Sequence, residues 1–231
     1  MMRGRLAARL FFWFWLALAT VVPGGPGTGS EALAAEASAE GARQQIETLH
    51  ANLLDVMRNA EKLGYEGRVK KLTPVLLAAY GFGDMARVAV GSYWRAFTDD
   101  QKRSVVEAFG RVSIATYASR LTGFSDERFE TLAVEAMPPP VPDTLVRTRL
   151  VLSNGGDEKL VYRMHNGPAG WRIVDVSYRG AISELATQRA QYLDVLKGGG
   201  VRGLDAFPGG TCASVGRRKE RTMIKLDANS P

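Results

Sequence analysis

The sequence predicts an α+β domain, because its apolar residues change period once along the chain. Up to about residue 123 they recur at three- and four-residue spacing; from Phe129 to Tyr178 they alternate. A helical stretch from Ser183 to Lys197 closes the order, and Gly198-Gly199-Gly200 stops it. Segregated runs of this kind imply helices packed on one face of a curved, mostly antiparallel, four-stranded sheet.

The chain opens with Arg3, Arg5 and Arg9, then an apolar run from Leu10 to Val22 broken only by Thr20, then Pro23 to Ser30, which breaks any helix. Ala32-Leu33-Ala34 supplies a small-x-small cleavage pattern. Thirteen residues fall short of the roughly 20 that cross a bilayer. Residues 1–34 therefore read as a secretory signal, cleaved near Ala35, with the mature protein exported. Removing that segment's three Arg and one Glu lowers the net charge from +6 to +4. Much of the remaining excess lies after Gly200, in a glycine-rich tail without periodicity or interleaved aromatics. Such a tail reads as solvated rather than as a nucleic-acid surface. Cys212 is the only cysteine and His50 and His165 the only histidines, so no internal disulfide and no metal-ligand cluster is expected. Residues 35–207 read as one domain and 208–231 as a flexible basic tail.

Within the domain, Ile46, Leu49, Leu53, Met57 and Ala60 mark one face of a helix over 42–63, ended by Gly64. Thr73-Pro74 predicts a helix start, with proline at the first helical position. Gly81-Phe82-Gly83 predicts a turn, and Asp84 the cap of a helix to Val90. Thr98-Asp99-Asp100-Gln101 fits a capping box for a long helix that buries Val105, Val106, Phe109, Val112 and Tyr117 and ends at Gly123. Four strands follow: Phe129–Met137, Leu145–Leu152, Lys159–His165 and Trp171–Tyr178. The short glycine-containing links between the last three imply an antiparallel meander, and the proline run 138–142 makes the first strand an edge or crossover.

Alternation places Val146, Thr148 and Leu150, then Leu160, Tyr162 and Met164, then Val174, Val176 and Tyr178 on one face. Arg147, Arg149, Arg163 and Asp175 fall opposite. An apolar face of this kind fits a packed core as well as a hollow. Catalytic patterns are poorly supported. Asp175 and Tyr162 fall on opposite faces, His165 reads as a structural residue beside a turn, and Gly81 and Gly83 do not extend to a phosphate-cradling motif. Asp84 and Arg87, three apart, read as a surface pair.

The runs Gly81-Phe-Gly-Asp-Met-Ala-Arg-Val-Ala-Val-Gly-Ser-Tyr-Trp and Trp171-Arg-Ile-Val-Asp-Val, with Gly180, Ile182-Ser183, Gln188-Arg189, Gln191-Tyr192 and Gly203-Leu204, resemble the MlaC (toluene-tolerance) family of periplasmic lipid-binding proteins. The wording Tyr117-Ala-Ser-Arg and Ile182-Ser-Glu-Leu-Ala-Thr is most similar to the hopanoid-associated HpnM branch. The resemblance runs from about Ile46 to Phe207; the tail beyond has no counterpart. It implies a nuclear-transport-factor-like fold around an apolar cavity that takes the acyl tails of a phospholipid, or a hopanoid-like lipid. It further implies exchange with an inner-membrane ABC transporter complex and an outer-membrane lipoprotein complex, with no cofactor and no catalysis. Carried onto this chain, the cavity would draw on Met85, Val88, Phe109, Tyr117, Val146, Leu150, Tyr162, Met164, Val174, Val176 and Tyr178. An enzyme acting on a hydrophobic substrate, or an adaptor with a filled core, would use the same fold.

Overall fold

A computed structural model describes residues 28–138, 140–179, 182–186, 189, 192–194 and 197–198. Residues 1–27 of the expected signal segment, Gly180, Gln188, Gln191, Gly203-Leu204 and the tail with Cys212 lie outside the described residues. Helix α1 spans Thr28–Arg58, so the helical backbone begins before the end of the Pro23–Ser30 stretch expected to break it. Its inward residues Ile46, Leu49, Leu53 and Met57 are buried, as their spacing predicts, and Val56 is buried beside them.

The path breaks at Asn59 and turns at Gly64, whose φ of 59° is readily tolerated without a Cβ. Helix α2, Ala60–Ala79, continues from that turn, and Thr73-Pro74 lies inside it rather than at its start. Pro74 and Lys70, whose carbonyl loses its partner, are both on the exposed side, where water replaces the missing N–H. Buried Arg68 joins the helices. Its Nε donates to the Ala118 carbonyl at 2.8 Å and its Nη1 to the Ala60 carbonyl at 3.0 Å.

Gly81 passes close to the sheet: its N–H donates to the Ile173 carbonyl at 2.9 Å, and a Cβ there would meet Val174 and Arg172 at 3.4 Å. It sits at the N-cap position of α3, Phe82–Val90, so Asp84 is a first-turn residue rather than the cap. Its pairing with Arg87 at 3.2 Å is between side chains exposed to more than half, as expected of a surface pair. A 3₁₀ turn, Gly91–Ala96, leads to α4, Asp99–Arg120. The Thr98/Gln101 capping box forms in both directions, satisfying two otherwise unpaired backbone donors. The helix stops at Arg120, before Gly123.

The strands are β1 Arg128–Ala136, β2 Asp143–Val151, β3 Asp157–Gly167, β4 Gly170–Tyr178 and a two-residue β5, Ile182–Ser183. They pair antiparallel in chain order, so the four expected strands form a meander with β1 at one edge and β5 added at the other. Helix α1 lies across β1, β2 and β4, while α2 and α3 lie against β4.

Two bulges change which residues face the helices. In β1, Leu132 is the extra residue and is exposed. In β4, Arg163 pairs with Asp175 but Met164 pairs with Ile173, which leaves Val174 unpaired. An inserted residue reverses the parity of everything before it. Ile173 is therefore in the core at 0% exposure, and Val174 is turned off the apolar face where alternation alone had put it. The opposite face carries cross-strand ion pairs, Arg147–Glu135 at 3.0 Å and Arg149–Glu130 at 2.7 Å.

Candidate functional site: an apolar cavity between sheet and helices

The apolar face does not close fully on the helices. A cavity of about 480 Å³ remains between α4 and the ends of β2, β3 and β4. The sheet supplies Phe129, Leu150, Leu160, Tyr162, Val176 and Tyr178 to its wall; the helical side supplies Leu53, Tyr80, Met85, Tyr117 and Leu121. Ser113 and Thr116 line it from α4. Their hydroxyls donate back to the carbonyls of Phe109 and Val112 at 2.9 and 2.8 Å, so neither presents an unpaired donor to the hollow. This volume lies within the roughly 300–1,000 Å³ typical of small-ligand sites.

Polar atoms at the deep end are paired with each other. The hydroxyls of Tyr80 and Tyr117 lie 2.5 Å apart. The Tyr162 hydroxyl is 3.0 Å from His50 Nε2 on α1. His50 is 4% exposed and its ring stacks on Phe129, with centroids 3.9 Å apart and planes 9° from parallel. Burial lowers its pKa to about 3, so the imidazole is neutral at physiological pH. Burial, reinforced by the neighbouring phenols, raises the hydroxyls of Tyr80 and Tyr162 well above the ordinary tyrosine value. Burial likewise raises Tyr117. None of these groups is poised to exchange a proton near neutrality.

Charge is confined to the rim, where Arg120, Glu158, Arg179 and Glu184 stand. Glu158 and Arg179 pair at 3.3 Å.

Of the eleven residues assigned from the sequence, Met85, Tyr117, Leu150, Tyr162, Val176 and Tyr178 line this cavity. Five do not. Val146 and Met164 are at 0% exposure in the solid part of the core. Phe109 is packed between the rings of Phe82 and Tyr192, with centroids at 6.1 and 5.3 Å. Val88 is on the exposed side of α3, and the β4 bulge turns Val174 towards the same side. Both line a second hollow. Leu53 and Leu160 carried a signal in their spacing, on the apolar faces of α1 and β3. Tyr80 and His50 had none, since their partners are 37 and 112 residues away.

The second hollow, of about 520 Å³, is charged, and the aspartates it draws from β2 and β4 are held by hydrogen bonds. Asp143, 6% exposed, accepts from Arg163 Nε at 2.5 Å and pairs with His165 Nδ1 at 2.7 Å. Asp175 accepts from Ser183 Oγ at 2.8 Å and from the backbone N–H of Val176 and Leu185 at 2.8 and 3.3 Å. Ser183 in turn accepts from the Ala186 N–H at 2.9 Å, capping the helical residues that follow. Asp175 thus fastens the last helical segment to β4, and it lines a different hollow from Tyr162. Among the described residues no group of His, Cys, Asp and Glu could hold a metal ion, and no helix is long and apolar enough to cross a membrane.

Comparison with known proteins agrees with this architecture. A solved structure of a phospholipid-binding protein from Ralstonia solanacearum, in complex with a phospholipid, superposes with a TM-score of 0.63 at 24% identity. The match covers 72% of this chain and 93% of that one. No curated protein matches the chain. The sequence profile described as MlaC protein matches residues 47–206, which take in the C-terminal part of α1, the other three helices and the whole sheet, so the chain belongs to the MlaC family.

Proposed function

We propose that this protein is a lipid-binding carrier whose cavity receives the apolar part of a phospholipid or hopanoid-like lipid. The observation that carries this reading is the hollow itself. It has an apolar and aromatic wall, its hydroxyls are already paired, and its charges are confined to the mouth. The phospholipid held by the Ralstonia protein of similar fold supports the cargo class. Each methylene removed from water contributes about 0.8 kcal/mol, so sequestering even part of a tail offsets the cost of crossing an aqueous space. A bilayer offers nearly the same apolar refuge. Transfer between membrane and cavity is then close to neutral, and its direction must come from partners. On this reading the exported, cleaved protein works in the periplasm between an inner-membrane ABC transporter complex and an outer-membrane lipoprotein complex, and it leaves its cargo chemically unchanged.

Native mass spectrometry of protein purified from the periplasm, followed by lipid extraction, tests the proposal. The expected result is a protein beginning near Ala35 with one lipid bound. Protein that purifies empty and takes up nothing from vesicles would sink the carrier reading. Recovery of a modified lipid would promote the enzymatic alternative.

A further inference from the structure

The mouth of the cavity carries two cations and two anions, brought together from four places in the chain. Arg120 ends α4, Glu158 is the second residue of β3, Arg179 follows β4 and Glu184 opens the last helical segment. Only one ion pair forms among them within the described residues, Arg179 with Glu158. That pair is bidentate, at 3.3 and 3.4 Å, but both bonds are long and both side chains are half-exposed, so solvent and a competing anion can reach it. Arg120 and Glu184 make no ion pair with each other, yet both act electrostatically on the Tyr117 hydroxyl inside the mouth. The helix dipole accounts for an arginine in the last turn of α4 but not for its place on the wall of a cavity. Arg179 is held in the left-handed backbone region at φ 53°, with its N–H donating to the Lys159 carbonyl at 2.8 Å. Such a conformation is disfavoured for a residue with a Cβ and persists only where its surroundings impose it.

From this arrangement we propose that the mouth selects a zwitterionic phosphate headgroup, with Arg120 and Arg179 taking the phosphate and Glu158 and Glu184 the ammonium. The inference rests on the lipid-carrier reading above. Guanidinium groups suit a phosphate's paired oxygens, and a phosphate on Arg179 would replace its solvent-accessible pair with Glu158. Glu158, released, and Glu184 would then stand beside the headgroup with no cation of their own. An ammonium a few atoms from the phosphate supplies that cation. A purely anionic headgroup leaves both carboxylates facing negative charge, which makes the rim a filter as well as an anchor.

The test is competitive loading of the delipidated protein from vesicles holding equal amounts of phosphatidylethanolamine and phosphatidylglycerol with identical acyl chains. Bound lipid should be enriched in phosphatidylethanolamine by about threefold, the scale expected of partly exposed charge pairs. Glu158→Gln with Glu184→Gln should move that ratio towards phosphatidylglycerol by a similar factor. Arg120→Gln should lower uptake of both phospholipids relative to a diacylglycerol with the same tails. Equal uptake by the parent, or an unmoved ratio in the double variant, overturns the headgroup assignment while leaving the carrier reading intact. A parent that binds no lipid from any vesicle removes both.

Discussion

The two hollows bordered by β4 have similar volumes, about 480 and 520 Å³, and opposite chemistry. Val176 and Tyr178 face the first, while Val174 and Asp175 face the second. In the second, the two lining aspartates from β2 and β4 are already spent on struts, Asp143 on Arg163 and His165, and Asp175 on Ser183 and two backbone amides. That hollow is the space between struts. In the first, the buried hydroxyls are paired and the apolar wall has nothing to pack against. The difference teaches that volume does not make a binding site: what counts is interaction capacity left unsatisfied, and here that capacity is apolar.

The largest expected effect concerns acid. His50 is neutral in the folded protein, with a pKa of about 3 against an ordinary value of 6.5. Above pH 6.5 it is neutral in both folded and unfolded chains and costs nothing. Below that, the unfolded chain binds a proton that the folded chain refuses, so stability falls as pH drops from 6.5 towards 3. At pH 4 this amounts to about 3 kcal/mol. Denaturant titrations over that range should show the loss, and His50→Leu should flatten it. An equally steep profile in the variant would place the acid sensitivity elsewhere.

Next comes filling. Val146 lies in the solid core, so Val146→Trp should destabilise by about 1–3 kcal/mol or prevent folding. Val176 faces the cavity, and Val176→Trp should keep the parent's melting temperature closely while abolishing lipid retention. Comparable destabilisation by the two would mean that the cavity closes in solution.

In the second hollow, Asp143→Asn should cost about 1–2 kcal/mol at neutral pH, since it strips a buried carboxylate from partners that are themselves partly solvated. Lipid binding should not change, and a selective loss of binding at full stability would make the charged hollow part of the site. The smallest effect is at Asp84→Ala, where a solvated i,i+3 pair with Arg87 contributes a few tenths of a kcal/mol. Thermal melts should barely distinguish that variant from the parent.

Much of this architecture was legible in local residues. The capping box at Thr98, the amphipathic face of α1 and the glycine-punctuated meander each depend on neighbours within a few positions, so spacing suffices to find them. Thr73-Pro74 misled because a local start signal was overridden: the helix had already begun after Gly64, and solvent at Lys70 makes the missing N–H tolerable. The β4 bulge was invisible because alternation counts residues and cannot tell that one of them has no partner across the ladder. That single insertion exchanged Val174 for Ile173 in the core.

The sequence by itself determined the order of helices and strands, the apolar face of the sheet and the family resemblance, because each is written in periodicity and in short runs of residues. Only the tertiary structure decided that part of that face is packed and part is hollow. A wall and a core demand the same alternation, and what separates them is how far α4 stands from the ends of β2, β3 and β4. That distance follows from contacts between residues far apart in the chain, such as Arg68 to the Ala118 carbonyl and Tyr80 to Tyr117, which no local pattern encodes.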